Sequence, residues 1–163
     1  MTIGDGISAE VVGIPDFVAV LRDIPHKLRR RALLSALKAG ARVVQRAARD
    51  ATPIMSQANA MKAPYRKPGT VRGAISVRTS KIATAAGDVG VFVNVRPARG
   101  ANVGAKNPND PYYFRFINWG TKKMSGVRFL EYGAAQLGTA LTIIEQTLGP
   151  EIERLNANPH DPL

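Results

Sequence analysis

The sequence predicts an α+β fold, in which a long N-terminal-half helix and a C-terminal helix pack on a small antiparallel sheet of about three to four strands. Helical periodicity is confined to residues 26–50 and 130–148, and the stretch between them alternates with a period of two. Helices that flank a run of strands are typical of this class. The 163 residues suit one domain. We place it at 15–150, between an N-terminal arm over 1–14 and a C-terminal tail over 151–163.

The first predicted helices precede and follow Pro25. A short apolar run from Asp16 to Leu21 predicts a short helix that Pro25 ends. From His26 to about Asp50, apolar residues recur three and four apart and predict one long helix. The expected core face of the long helix is Leu34, Leu37, Ala41, Val44 and Ala48, widened by Leu33, Gly40 and Ala47.

The opposite face of the long helix carries cations of one sign. These residues are Lys27, Arg31, Lys38, Arg42, Arg46 and Arg49, and the only acid in the stretch is Asp50. Like charges one turn apart repel each other unless an anion or an acidic partner faces them. The cationic face is therefore a solvated surface, or a contact for DNA phosphate or an acidic protein ring, and the sequence leaves both open.

Strands and two long loops occupy the middle of the chain. Alternation over 71–80 and 89–95 predicts two strands that form a hairpin, and the aromatic segment 112–119 predicts a third strand in the same sheet. Loops are expected at 54–68 and 97–111, where Pro, Gly and polar residues accumulate. Loops of this length are usually functional or disordered. Their candidate interface residues are Met61, Tyr65, Arg66, Lys67, Arg99 and Lys106.

A second amphipathic helix is predicted from about Leu130 to Leu148. Leu137, Leu141 and Ile144 fall on one face with Leu148. Gly149 and Pro150 are expected to end this helix, because Gly is common just past a helix and Pro cannot continue one. We therefore expect a C-terminal tail over 151–163 that is frayed after Asn156.

The composition opposes enzymatic chemistry. The chain has no Cys and 2 His, so thiol catalysis and Cys-based metal sites are excluded, and no cofactor or metal is expected. The acids of the middle segment, Asp50, Asp88 and Asp110, each adjoin an element boundary, where turn or capping roles suffice. Residues 100–106 lack the spacing of a phosphate-binding loop. We expect a protein that is not an enzyme.

Charge is divided along the chain, with a net charge of +11. Residues 1–25 hold one cation and four acids, 26–128 hold 21 and three, and 129–163 hold one and five. A basic middle between acidic ends fits either a polyanion partner or complementarity between copies of the chain.

The start shows no secretory signal, and no apolar run reaches the roughly 18 residues of a membrane helix. We expect a soluble protein, made in the cytoplasm.

Three local motifs occur in an order that resembles a known family. A long helix ends in an Ala-Thr-Pro at 51–53, the segment 69–76 reads Gly-Thr-Val-Arg-Gly-Ala-Ile-Ser, and Asn118-Trp-Gly-Thr precedes Phe129-Leu and the last helix. Together they resemble the neck proteins of long-tailed bacteriophages, called tail-completion or head–tail joining proteins. The family usually has Glu where this chain has Asn118, and Pro just before the Phe129 position. The motif residues are Gly120, Thr121 and Phe129.

The resemblance implies a structural virion protein without a cofactor. It would form a homo-oligomeric ring, a hexamer by the family pattern, that surrounds the DNA passage and joins the head connector or adaptor ring to the tail terminator or tail tube. Its location would be the virion neck, with assembly in the host cytoplasm and no membrane contact. The alternatives are a stand-alone nonspecific DNA-binding protein, or another neck or tail ring such as a tail terminator or head closure protein. Gly120 would allow a positive φ, and Thr121 would bond to nearby backbone.

Overall fold

The computed structural model describes residues 26–62, 66–99, 103–105 and 107–158, and they form an α+β fold. The arm expected over 1–14 and the short helix expected before Pro25 lie outside the described residues. The described helices are α1 (His26–Ala51), α2 (Gln57–Lys62), α3 (Thr70–Ala74), α4 (Lys81–Ala85), α5 (Phe114–Trp119), α6 (Phe129–Ala134) and α7 (Leu137–Ala157). The described strands are β1 (Ile75–Thr79), β2 (Val91–Val95), β3 (Gly120–Thr121) and β4 (Met124–Ser125).

The chain divides into two compact units. Unit 1 takes its described residues from 1–43, 77–92 and 137–163, and unit 2 takes them from 44–76 and 93–136. The long helix and the C-terminal helix are confirmed, and β1 pairs with β2 as predicted. The stretch predicted as one helix from about Leu130 is, however, divided into α6 and α7.

The core of unit 1 is a contact between small residues of α1 and large residues of α7. Ala32 and Ala36 are buried together with Leu148, Ile152 and Leu155. Gly40 continues the row of small residues one turn further. The expected leucines Leu34 and Leu37 are only half-buried. The buried Ala32 and Ala36 were not in the predicted core face, so in unit 1 the closest packing lies beside that face rather than on it.

Helix α7 continues past the predicted end at Gly149 and Pro150, and the predicted tail is therefore wrong over its first seven residues, 151–157. The reason is the burial of Ile152 and Leu155, which extend the apolar stripe of α7 beyond the proline. Pro150 itself is exposed. A proline inside a helix removes one backbone hydrogen bond and costs about 3 kcal/mol, and burial of two large aliphatic side chains offsets a cost of that size.

The β1–β2 pair is linked by a short helix rather than a bare turn. Helix α4 begins after Ser80, whose Oγ accepts a hydrogen bond from the Ala83 N–H at 3.2 Å. The first half of the strand predicted over 71–80 is wrong, because 70–74 form helix α3. Gly69 precedes α3 with φ of 76°, a conformation that favours glycine.

Unit 2 has its own core, which collects residues from α1, α3, β1, β2 and α6. Its buried members are Ala48, Val71, Ile75, Val95, Phe129 and Leu130. Phe114 and Ile117, three positions apart, pack partly buried against this core. That spacing belongs to a helix, so the third strand predicted over 112–119 is wrong and residues 114–119 form α5. In the described residues the strands form two separate two-stranded sheets, β1–β2 and β3–β4.

Both predicted loops carry local structure. The stretch 54–68 contains helix α2. In the second loop, the buried Asp110 carboxylate accepts hydrogen bonds from the backbone N–H groups of Ala98 at 3.2 Å and Gly104 at 2.5 Å. Asp110 thus has the turn-stabilising role expected for it.

Candidate interaction surface

The motif turn of unit 2 is a tight β3–β4 hairpin. Gly120 has φ of 85°, and an added Cβ there would lie 2.5 Å from the Met124 carbonyl oxygen. Gly126 faces the same restriction, because its Cβ would approach the Asn118 carbonyl oxygen to 2.3 Å. The Thr121 Oγ1 accepts a hydrogen bond from the Lys123 N–H at 3.3 Å. The expected positive φ and local backbone bond are both confirmed.

Asn118 joins this hairpin to helix α6. Its side chain is fully buried, and its Oδ1 accepts a hydrogen bond from the Leu130 N–H at 3.0 Å. Its Nδ2 donates to the Glu131 carboxylate, with the shorter distance 3.1 Å. The backbone also connects the two, because the Arg128 N–H donates to the Asn118 carbonyl at 2.9 Å. Phe129, the third motif residue, is completely buried beside them.

Two aromatic side chains of helix α5 are exposed rather than packed in the core. Phe116 and Trp119, three residues apart on the same face, remain 54% and 47% exposed. Phe114 packs partly buried against the core, and its ring centroid lies 6.3 Å from that of Trp119. The helix therefore places Phe114 and Phe116 on different faces, whereas a strand would place them on the same face.

An apolar groove of about 270 Å³ opens beside α5 within unit 2. Its apolar walls include Ile54, Met55, Phe116 and Met124, and Ile54 and Met124 are each about half exposed. Large exposed apolar side chains that share one concave surface mark sites of interaction. We call this site the α5 groove.

Cationic and phenolic groups complete the α5 groove. Lys67 is exposed at its lining, and the Arg66 guanidinium lies 5.1 Å above the ring centroid of Tyr113, a cation–π contact. Burial raises the pKa of the Tyr113 hydroxyl above its usual value. No acidic residue lines this groove in the described part of the chain.

The cationic face predicted for α1 does not act as one set. Arg49 points inward, and its Nη2 donates to the Ile75 carbonyl at 2.8 Å, beside the Gln45 Nε2 that donates to the same oxygen at 2.8 Å. The charge of Arg31 helps to lower the pKa of Glu151 within unit 1. Lys38 is half-buried, whereas Arg42 and Arg46 are exposed. Lys27 belongs to α1, but its side chain lies outside the described set.

The predicted loop residues are dispersed. Arg66 and Lys67 contribute to the α5 groove, while Met61, 78% exposed on α2, and the exposed Arg99 are not among the residues that line it. Tyr65 and Lys106 lie outside the described residues.

Sequence analysis missed the residues that form the groove walls. Ile54 and Met55 lie in the loop predicted over 54–68, Phe116 lies in the segment predicted as the third strand, and Met124 lies in no predicted element. A helical pattern was nevertheless present in the spacing of Phe114 with Ile117 and of Phe116 with Trp119. Testing that segment for a period of 3.6 as well as 2 would have exposed the aromatic face.

Comparison with protein-family models, with curated proteins and with solved structures found no match to this chain. Within the described residues, no helix is both long and apolar enough to cross a membrane. The same part of the chain brings together no group of three or more His, Cys, Asp or Glu side chains that could hold a metal ion.

Proposed function

We propose that this chain is a structural protein of a bacteriophage neck, where it forms a homo-oligomeric ring that joins the head connector to the tail and surrounds the DNA passage. Its role is to assemble rather than to transform a substrate. The ring would be a hexamer located in the virion, after assembly in the host cytoplasm. Its neighbours would be the head connector or adaptor ring on one side and the tail terminator or tail tube on the other.

The observation that carries this proposal is the α5 groove. It lies in the same unit as the family-like motif turn, and its lining residues Phe116 and Met124 are exposed to solvent. A monomeric protein rarely leaves large apolar side chains together on its surface without a partner. Gly120, Asn118 and buried Phe129 hold the supporting hairpin and α6 in one geometry, which suits a surface that must fit another protein.

Charge division supports self-association in particular. The acidic segments 1–25 and 129–163 and the basic segment 26–128 let copies of the chain attract each other through unlike regions. Unlike surfaces that meet head to tail close into rings when the rotation between copies allows it.

Loss of the gene from the phage that encodes it tests the proposal. Electron microscopy of lysates is expected to show DNA-filled heads and finished tails that remain separate, and purified full-length chain added to such a lysate is expected to join them. Particles of normal appearance from the deleted phage would refute the neck function. Incomplete heads or tails instead would favour an earlier assembly role, such as a tail terminator or head closure protein.

A second candidate function, nonspecific DNA binding, rests on Arg42 and Arg46, which are exposed one turn apart on α1. The test is a duplex-DNA titration at several salt concentrations, with the double variant Arg42→Glu and Arg46→Glu. If these residues contact phosphate, the slope of log K against log salt becomes shallower by about 2 in the variant. Equal slopes for the two proteins would exclude this surface as a DNA contact.

A further inference from the structure

The α5 groove can accept a segment that is apolar in the middle and acidic around it. Its walls are apolar, Lys67 lies at its lining, and Lys122 and Lys123 are exposed in the turn just before Met124. A matching segment would bury large side chains and place carboxylates near the lysines.

Residues 1–25 of this chain have that composition. Four acids and one cation accompany the apolar run Phe17-Val-Ala-Val-Leu21, and Asp16 and Asp23 stand close to the two ends of the run. The other acidic segment, 129–163, is already used by the fold. Most of it forms α6 and α7, and Leu148, Ile152 and Leu155 are buried in the core of unit 1.

The reach of the chain favours a second copy over the same copy. Helix α1 begins at His26 and, with 26 residues at 1.5 Å each, is about 39 Å long. The groove residues Ile54 and Met55 follow the opposite end of this helix. Even fully extended, the nine residue steps from Phe17 to His26 span only about 32 Å, and those from Leu21 span about 18 Å.

We propose that the α5 groove binds residues 1–25 of a second copy of the chain, with the run from Phe17 to Leu21 in the groove and Asp16 or Asp23 near its lysines. The inference deepens the proposed ring function and rests on it. A segment of each subunit then holds its neighbour, which is a head-to-tail contact of the kind that generates a ring.

Photo-crosslinking between isotopically distinct copies tests the proposal. Full-length chain carrying Phe17→p-benzoylphenylalanine is prepared unlabelled and nitrogen-15-labelled. The two are mixed at high salt so that subunits exchange, returned to low salt, irradiated and digested. We expect crosslinked peptides that join a light and a heavy copy and contain residues 53–55 or 113–124. A matched control carries the same photoreactive group at Ile82, which is 84% exposed in unit 1, and is expected not to label the groove peptides.

A groove variant completes the experiment. Met124→Glu is expected to reduce the light–heavy crosslink from position 17 about tenfold or more, the size expected when a hot-spot side chain is lost, whereas Ile82→Glu leaves it unchanged. Circular dichroism confirms that both variants are folded.

The other outcomes overturn the proposal. Crosslinks found only within one isotope would show that the segment binds its own copy. If the chain self-associates but position 17 labels other surfaces or nothing, the docking proposal fails and the ring proposal survives. A chain that stays monomeric by light scattering under the crosslinking conditions contradicts both.

Discussion

Two arginines of α1, Arg46 and Arg49, differ in exposure and in hydrogen bonding. The Arg49 guanidinium donates to the Ile75 carbonyl at 2.8 Å, and its Nε is buried without a hydrogen-bond partner among the described residues. Arg46, three residues earlier, is exposed. The sequence predicts both on the same cationic face, because Ile75 lies 26 residues away and no local pattern indicates that its carbonyl meets Arg49.

We expect Arg49→Met to lower the free energy of unfolding by about 1.5 kcal/mol, the contribution of a hydrogen bond from a charged donor. Arg46→Met, the matched control, is expected to change it by less than about 0.5 kcal/mol, as is usual for exposed positions. Urea unfolding followed by circular dichroism measures both. Equal effects of the two variants would show that Arg49 is a surface cation like Arg46.

The hydrogen-bond partners of Asn118 lie 12 and 13 residues later in the chain and cannot be predicted from the residues next to it. The resemblance marks its position, but the sequence does not show that its amide bonds to Leu130 and Glu131. Those contacts form only because α5 ends at Trp119 and the β3–β4 hairpin returns the chain.

At the scale of elements, the contact between α1 and α7 depends on the absence of a side chain. A Cβ on Gly40 would lie 2.6 Å from the Ile144 Cγ1 and 2.7 Å from the Ala140 carbonyl oxygen. Backbone atoms cannot move aside as the end of a flexible side chain can. Gly40 therefore sets how closely the two helices approach in unit 1.

Gly40→Ala is expected to destabilise the protein by about 1–3 kcal/mol through overpacking, despite the higher helix propensity of Ala. Gly138→Ala is the control, because Gly138 is also helical and a Cβ there meets nothing within 4 Å. We expect that control to leave the free energy of unfolding unchanged or to raise it by up to about 1 kcal/mol. Thermal and urea unfolding compare the pair, and a stabilising Gly40→Ala would refute the close contact.

A partly buried charge pair makes α7 sensitive to acid. The Arg154 Nη2 donates to the Glu151 Oε1 at 2.7 Å, and this bond, with Ser35 and Arg31, holds the pKa of Glu151 below its usual value. A lowered pKa means that protonation favours the unfolded chain. The contribution of Glu151 to stability is then complete above its unfolded-state pKa and is lost as the pH falls through its folded-state pKa.

We therefore expect Glu151→Gln to lower the melting temperature at pH 7, and the difference from the unsubstituted chain to shrink as the pH falls below the usual carboxyl pKa. Differential scanning calorimetry at a series of pH values measures this convergence. Glu153→Gln is the control, because Glu153 is exposed on the same helix. A difference that stays constant with pH would contradict the stabilising role of ionised Glu151.

The helices and the hairpin were predictable because their sequence patterns are local. The errors arose where the secondary structure depends on packing against residues far away in the sequence. The periodicity of 26–50 and the alternation over 89–95 predicted α1 and β2 closely. Pro150 was misjudged because the burial of Ile152 and Leu155 depends on α1, more than 100 residues earlier in the chain. The prediction for 112–119 was wrong because Tyr, Phe and Trp favour strands. In the structure Phe114 and Ile117, spaced as on one face of a helix, both pack against the core of unit 2.

At the scale of the whole molecule, two features of this chain are its charge distribution and its exposed apolar surface. Basic and acidic segments are separated along 163 residues, and unit 2 presents an apolar groove that its described neighbours do not fill. Both features are of use to a protein that binds copies of itself. The exposure of Phe116 and Trp119 leaves apolar surface in water, which is unfavourable for the folded chain by itself.

Sedimentation velocity of the purified full-length chain, over a range of protein and salt concentrations, tests the central claim most directly. We predict a discrete closed oligomer, with the mass of six copies by the family resemblance. Its fraction is expected to increase with protein concentration and to decrease with salt, which screens the attraction between unlike charges. A chain that sediments as a monomer at every concentration and salt would contradict assembly as its function.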